Sequence, residues 1–175
     1  MRILWTTFTL MFLSNSLLGA SSLESEGQEK EISEKKINIL FLCTGNSCRS
    51  QMAEGWGKSL KGDQFNFYSA GTKPHNLNQR AIQVMAEAGV DISHHRSKTT
   101  SEIPEKMDIV FTVCSNARDN CPYFPEGKII HAGFEDPPQS TNGMEDAEQI
   151  LGVYRIVRDQ IRDFVLDIES FVGHD

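Results

Sequence analysis

The segment 43–50 constrains the fold more than any other part of the chain. It runs Cys-Thr-Gly-Asn-Ser-Cys-Arg-Ser and lies between two segments of different periodicity. The apolar run 37–42 before it is typical of a buried strand, and the segment 51–56 after it begins an amphipathic helix. A tight turn from a strand into a helix directs backbone N–H groups inward, where the helix N-terminus adds partial positive charge. The sequence therefore predicts an anion-binding loop.

Two side chains give this loop a specific chemistry. Five residues separate Cys43 from Arg49, whose planar guanidinium matches the oxygens of a tetrahedral anion. Because positive surroundings lower the pKa of a thiol, we expect Cys43 to be a nucleophilic thiolate. We expect Ser50 to donate a hydrogen bond to the sulfur and Gly45 to supply the positive φ of a tight turn. The alternative is a buried structural cysteine beside a surface arginine.

At these residues the chain resembles the low-molecular-weight protein tyrosine phosphatase superfamily, and within it the thioredoxin-coupled arsenate reductases. The resemblance is carried by Cys-Thr-Gly-Asn-Ser-Cys-Arg-Ser-Gln-Met-Ala-Glu-Gly-Trp and extends from residue 37 to residue 164. It implies an arsenate or phosphate oxyanion as the ligand, with no cofactor. The implied oxyanion-binding residues are Thr44, Gly45, Asn46, Ser47, Cys48, Arg49 and Ser50. Within this loop we expect Cys48 to be structural or a spectator.

Strands and helices alternate along the rest of the chain. We expect strands over 37–42, 65–71, 107–114 and 128–131, and helices over 48–60, 81–88 and 150–171. This alternation predicts an α/β fold, a three-layer sandwich with a four-stranded parallel sheet and helices on both faces. Ligands of such sheets bind beyond the carboxyl ends of the strands, where Cys43 and Cys114 both lie.

The first 36 residues differ in composition from the rest. Segment 1–20 carries one charge, Arg2, then an apolar stretch of signal-peptide length and small residues, and its polar residues make it a poor permanent anchor. We therefore expect a signal peptide or N-terminal anchor, and an exported (periplasmic) or membrane-tethered protein, with a cytoplasmic protein as the alternative. Segment 21–36 is predicted to be an acidic linker and 37–175 the catalytic domain. Export would place labile thiols in an oxidising compartment.

The net charge bears on the partners. A formal charge of −7 argues against a nucleic-acid-binding surface, so we expect no nucleic acid partner. We also expect a monomer. The resemblance implies a thioredoxin-like reductant.

Cys114 and Cys121 separate the candidate functions. A phosphatase needs one thiolate, whereas further cysteines near the nucleophile suit thiol–disulfide exchange. A fully helical connection would place their backbones roughly 10 Å apart, beyond the Cα separation of about 7 Å that a disulfide allows, so a bond requires a loop or an unwound helix. Incidental cysteines, a poorly spaced zinc site and a static disulfide are the alternatives. The resemblance implies a relay of Cys43, Cys114 and Cys121.

An acidic pair follows the fourth predicted strand. The resemblance implies that Asp136, which precedes a proline, is the general acid; Glu135 and a solvated acidic turn are the alternatives. A pocket that grips a phenyl ring needs aromatic walls, and no Phe, Trp or Tyr lies between Tyr68 and Phe111. A small inorganic oxyanion therefore fits better, and the resemblance implies arsenate reduction as the favoured function. A phosphatase working through a Cys43 phosphoenzyme is the first alternative, and a non-catalytic oxyanion-binding module is the second.

The resemblance also raises the question of a metal ion. Some arsenate reductases hold potassium through residues matching Asn46 and Glu54, together with a Thr and an Asp. Arg96 and Lys98 occupy the positions expected for the last two in this chain. We therefore expect no metal site. The positive charge of a side chain can stand in the place of the potassium ion.

Overall fold

The computed structural model describes residues 35–122 and 124–173. The elements in chain order are β1 (Ile37–Cys43), α1 (Arg49–Lys61), β2 (Phe65–Gly71), α2 (Gln79–Glu87), β3 (Ile109–Thr112), α3 (Ser115–Asp119), β4 (Lys128–His131), α4 (Pro137–Ser140) and α5 (Ala147–Leu166). Short 3-10 turns cover Thr100–Glu102 and Ile168–Phe171. The predicted signal or anchor segment and nearly all of the predicted linker lie outside the described residues.

The four strands form one parallel sheet in the order β2-β1-β3-β4. The chain passes from β1 to β2 on one side and then returns to place β3 on the other side of β1. Cys43 lies opposite Gly71 of β2, and Leu42 lies opposite Thr112 of β3. Because the strand order reverses around β1, a crevice opens beyond its carboxyl end, which is where ligands of such sheets bind. The predicted fold class is confirmed.

Aromatic side chains hold the three neighbouring strands β2, β1 and β3 together. The Phe41 ring stacks on Phe67 of β2 at 6.2 Å and on Phe111 of β3 at 5.7 Å, centroid to centroid. Phe41 and Phe111 are completely buried. Burying each such side chain contributes about 1.5–3 kcal/mol to the free energy of unfolding. The strand that carries Cys43 is therefore a rigid base for the loop that follows it.

Helix α1 is buried on all sides over its first two turns. Eight consecutive residues, from Ser50 to Gly57, are buried, because the helix packs on β1 and β2 and is covered by α5 and α2. A Cβ on Gly57 would lie 2.5 Å from the Phe67 ring, so only glycine allows this close approach. The amphipathic pattern expected for this helix is therefore absent from its N-terminal half.

Two of the predicted elements, a strand and the last helix, extend beyond the observed ones, and two short helices were not predicted. Strand β3 covers Ile109–Thr112 rather than 107–114, since Cys114 already caps α3. The last helix ends at Leu166, where Asp167 is the C-cap and a 3-10 turn follows. The helices α3 and α4, of five and four residues, were not predicted.

Candidate active site

The loop after β1 wraps the Cys43 sulfur in hydrogen bonds. The backbone N–H of Asn46 donates to the sulfur at 3.0 Å, and the Ser50 hydroxyl lies 2.9 Å from it. Cys43 is 5% exposed. The predicted contact with Ser50 is therefore present. Both atoms that contact the sulfur can donate hydrogen bonds, and such bonds stabilise a thiolate.

The positive φ of the loop belongs to Asn46 and not to Gly45. Asn46 has φ of 46°, a left-handed conformation that Asn tolerates better than most residues. Its amide Nδ2 donates to Ser50 Oγ at 3.0 Å and to Ser69 Oγ at 2.8 Å, and its Oδ1 accepts from the backbone N–H of Lys98 at 2.7 Å. The predicted role of Gly45 is therefore wrong, because side-chain hydrogen bonds allow Asn46 to make the turn.

The pKa of the Cys43 thiol lies above its ordinary value, opposite to the sequence prediction. Burial is the largest cause and raises the pKa, and the neighbouring Cys114 raises it further. Hydrogen bonds from Ser50 and Asn46 and the charge of Arg49 lower it, but they do not outweigh burial. The prediction considered the hydrogen-bond donors and positive charge that lower the pKa of the thiol. It did not consider burial, which removes water from the sulfur and raises the pKa.

Arg49 joins the loop to the carboxylate. Its Nη1 donates to the backbone oxygen of Phe134 at 2.9 Å, and its Nη2 lies 3.3 Å from Asp136 Oδ1. Asp136 is also the N-cap residue of α4, whereas Glu135 is exposed to solvent. Of the two acidic residues, it is therefore Asp136 that contacts Arg49.

A pocket of about 380 Å³ lies above the Cys43 sulfur. It is lined by Cys43, Thr44, Gly45, Ser47, Cys48, Arg49, His75, Asn116, Asp136 and Pro138. Of the predicted oxyanion-binding residues, Asn46 and Ser50 do not line it; both are fully buried beneath the loop. They therefore shape the pocket without facing it.

Cys114 lies at the neighbouring strand end, next to this pocket. Its sulfur is 3.5 Å from Thr44 Oγ1 and accepts from the backbone N–H of Ala117 at 3.4 Å. An adjoining pocket of about 340 Å³ is lined by Cys114 and shares Thr44, Arg49, Asn116 and Asp136 with the first. The structure thus brings Cys43 and Cys114 to one site.

Cys121 follows α3 and is half-buried. Burial raises its pKa above the ordinary value. It lines neither pocket, and all four cysteines of the chain are free thiols. Cys48, at the floor of the first pocket, is 4% exposed, and burial raises its pKa strongly. That environment is consistent with the predicted structural or spectator role of Cys48.

Three residues of the site escaped the sequence analysis. His75 contributes an imidazole ring to the pocket wall, and Asn116 accepts a hydrogen bond from Thr44 Oγ1 at 3.0 Å. Ser69 supports Asn46 from β2, opposite Phe41 in the sheet register. Only the strand pairing could have indicated Ser69, because no local pattern distinguishes it from other polar strand residues.

Comparison with known proteins identifies the class. The family model for low molecular weight phosphotyrosine protein phosphatase matches residues 38–151. The chain is 49% identical over 138 residues to arsenate reductase 1 of Staphylococcus saprophyticus, covering 78% of this chain and 96% of that protein. Solved arsenate reductases in an oxidised state and in a phosphate-binding state superpose with TM-scores of 0.63 and 0.62, each at 28% identity. The first match covers 98% of the solved chain and the second 99%, and each covers 78% of this chain.

The chain therefore belongs to the low molecular weight phosphotyrosine protein phosphatase family. Within that family it groups with the arsenate reductases. The resemblance stated from the sequence is confirmed.

The prediction of an exported or membrane-tethered protein is wrong. The relatives are arsenate reductases, and the family match begins only at residue 38, beyond the segment on which that prediction rested. Among the helices of residues 35–122 and 124–173, none combines the length and the apolar character that a membrane span requires.

Proposed function

We propose that residues 37–175 form the catalytic domain of an arsenate reductase that works by a three-cysteine relay. The observation that carries the proposal is the placement of Cys43 and Cys114 at two pockets that share Arg49 and Asp136 as walls. A hydrolytic phosphatase has no use for the second thiol. The identity to arsenate reductases over nearly their whole length supports the same substrate, arsenate, for this chain.

In the first step the Cys43 sulfur attacks arsenate held by Arg49 and the loop. A sulfur–arsenic bond forms and an arsenic–oxygen bond breaks. The departing hydroxyl takes a proton from Asp136 and leaves as water. The proton lost by the Cys43 thiol then restores the protonated form of Asp136. Arg49 contacts Asp136 and lines the pocket beside the sulfur, so it can hold the anion and the acid together.

The second and third steps transfer the oxidation outward. Cys114 thiolate attacks the Cys43 sulfur, a disulfide forms, and the electron pair of the sulfur–arsenic bond stays on arsenic, which leaves as arsenite. Cys121 thiolate then attacks Cys114 and releases Cys43 as a thiolate. Two thiols are oxidised to one disulfide while arsenic(V) is reduced to arsenic(III). A thioredoxin-like dithiol protein returns the Cys114–Cys121 disulfide to thiols.

The third step requires α3 to unwind. Cys114 is its N-cap, and Cys121 follows its C-cap residue, Asn120. A fully helical connection would place the two backbones roughly 10 Å apart, whereas a disulfide needs Cα atoms within about 7 Å, so the bond needs this segment in a non-helical form. A five-residue helix is well below the length that is stable by itself. The segment can therefore change shape without disturbing the sheet.

Replacing Cys121 tests the relay. Cys121→Ser should allow one turnover of arsenate per enzyme and abolish further turnovers, because Cys43 stays in its disulfide with Cys114. Hydrolysis of p-nitrophenyl phosphate, if the enzyme has any, should be unchanged, since a phosphoenzyme needs only Cys43. Arg118→Ala, an exposed change in the same segment, is the matched control. Sustained arsenate turnover by Cys121→Ser would contradict the relay.

The phosphatase alternative has one observation in its favour. The site contains the thiol, arginine and carboxylate that phosphoryl transfer through Cys43 would use, and the family is named for that activity. Phosphate ester hydrolysis that is fast in wild type and unaffected by Cys114→Ser, together with no arsenate turnover, would establish the alternative.

A further inference from the structure

Beneath the loop, the buried Glu54 carboxylate already has two ammonium partners. Lys98 Nζ lies 3.0 Å from its Oε2, and Lys58 Nζ lies 2.6 Å from its Oε1. The side chain of Lys98 is 15% exposed and that of Lys58 is 51% exposed, while Glu54 is 4% exposed. Lys98 is therefore the partner whose charge is least screened by water.

These residues do not fit a potassium ion. Potassium needs several oxygen ligands, and Glu54 is one of the residues that the family resemblance implies. Lys98 presents an ammonium to that carboxylate instead of an oxygen. Arg96 pairs with Glu102, and its side chain is 65% exposed. The cation that fits beside Glu54 is therefore the Lys98 ammonium.

A continuous set of hydrogen bonds connects Lys98 to the reactive sulfur. Ser69 Oγ donates to Glu54 Oε2 and accepts from Asn46 Nδ2 at 2.8 Å. Asn46 Nδ2 also donates to Ser50 Oγ, which lies 2.9 Å from the Cys43 sulfur. The backbone N–H of Lys98 closes the set by donating to Asn46 Oδ1 at 2.7 Å. Lys98 thus contacts this network at two points, through its ammonium at Glu54 and through its backbone N–H at Asn46.

Lys58, Ser69 and Lys98 together keep the Glu54 carboxylate ionised, which fixes the direction of the hydrogen bonds in the network. Burial pushes the pKa of Glu54 upward, but hydrogen bonds from Lys58 and Ser69 and the charge of Lys98 bring it below its ordinary value. An ionised Glu54 can only accept hydrogen bonds, so Ser69 must donate to it and must accept from Asn46. Asn46 is then fixed in its left-handed conformation, with its N–H directed at the sulfur.

We propose that the Lys98 ammonium is a built-in monovalent cation that positions the Cys43 loop through Glu54, Ser69 and Asn46. Lys98 is a positioning residue, since it touches neither the oxyanion pocket nor the sulfur. The enzyme therefore works equally well with and without potassium. This inference rests on Cys43 being the reactive thiol of the proposed function.

The test compares Lys98→Ala, which leaves room for a small cation, with Lys98→Met, which fills the same space without charge. Lys106→Ala, which removes an exposed lysine paired with Glu126, is the surface control. The rate of Cys43 alkylation by iodoacetamide, followed by mass spectrometry of its peptide, and kcat/KM for arsenate are both measured. Each is measured in potassium chloride and in choline chloride at equal ionic strength.

Wild type and Lys106→Ala should give equal rates in both salts. Lys98→Ala and Lys98→Met should each lose roughly tenfold or more in choline chloride, because the buried Glu54 carboxylate then keeps only Lys58, whose more exposed ammonium is better screened by water. Methylammonium, which presents the same ammonium group as the lysine side chain, should restore Lys98→Ala and not Lys98→Met.

Two outcomes would overturn the proposal: potassium stimulation of wild type, or Lys98→Ala that equals wild type in choline chloride. The wild-type comparison needs no variant, so it decides even if both substitutions prevent folding. Failure of the relay itself would be distinct, since arsenate turnover would be absent while the alkylation measurements still applied.

Discussion

At the scale of single residues, Asn46 organises the site although it does not face the ligand. Its backbone N–H contacts the Cys43 sulfur, its backbone oxygen accepts from Gln51 and Ser97, and both atoms of its side-chain amide are hydrogen bonded. Asn46 is completely buried. A residue with every polar atom paired in one conformation holds its N–H in a fixed direction, which is what preorganised stabilisation of a thiolate requires.

The contribution of Ser50 to the reactivity of Cys43 can be measured directly. Its hydroxyl lowers the pKa of the thiol, so Ser50→Ala should raise that pKa further above its ordinary value. Below the pKa, the thiolate fraction falls tenfold for each unit by which the pKa rises. Cys43 alkylation at pH 7 should therefore be slower in Ser50→Ala, with the whole rate–pH profile moved to higher pH.

The matched control for this change is Ser59→Ala, an exposed serine in the same helix. It should leave the profile in place. A Ser50→Ala profile identical to that of wild type would mean that the contact at 2.9 Å does not stabilise the thiolate.

The limits of sequence interpretation at this scale follow from what a linear pattern contains. Cys43, Arg49 and Asp136 were predicted because the spacing of the first two and the resemblance that places the third are visible in the sequence. Ser69 contacts Asn46 only because β2 pairs with β1 in one register. The pKa of Cys43 was predicted in the wrong direction, since burial depends on the whole fold.

At the scale of elements, the packing of α1 against β2 restricts which residue can occupy a helix position. Gly57 lies against the Phe67 ring, where a Cβ would approach to 2.5 Å, whereas the space around Gly152 in α5 is empty to 4 Å. Gly57→Ala should lower the free energy of unfolding by about 1–3 kcal/mol, because added atoms must displace a packed ring. Gly152→Ala should instead raise it by up to about 1 kcal/mol, as alanine favours a helix interior.

Urea unfolding of both variants, followed by circular dichroism, measures this difference. The two substitutions add the same methyl group to helical glycines, so helix propensity alone would make both stabilising. An equal effect of the two changes would show that the Phe67 ring of β2 can move away from α1 without lowering the free energy of unfolding.

The predicted helices and strands agree with the observed ones where the apolar periodicity extends over enough residues to be recognised. Helix α2 ends before Gly89, which has the positive φ typical of a helix end. Ile168 and Phe171 continue the apolar spacing of α5, but they belong to a 3-10 turn, so periodicity alone overextended that helix. The helices α3 and α4 are too short to show a period, and α4 begins only because Asp136 precedes two prolines.

At the scale of the whole molecule, the fold gathers three loops at one end of the sheet. The segments after β1, β3 and β4 supply Cys43 with Arg49, then Cys114, and then Asp136. Alternation of strands and helices was sufficient to predict that these ends meet, since all strands are parallel. The strand order, which makes β1 and β3 neighbours, is what brings the two thiols to one site.

Because the oxyanion site belongs only to the folded state, an anion that binds it should stabilise the whole molecule. Phosphate at 100 times its dissociation constant should add about 2.7 kcal/mol to the free energy of unfolding and raise Tm accordingly. Arg49→Lys should lose most of this increase, because a lysine cannot bind an oxyanion with two parallel N–H groups. Arg162→Lys, at an exposed ion pair, should keep it. Thermal unfolding in phosphate and in chloride at equal ionic strength measures the difference, and equal Tm values for wild type in the two salts would show that the pocket above Cys43 does not bind a tetrahedral anion.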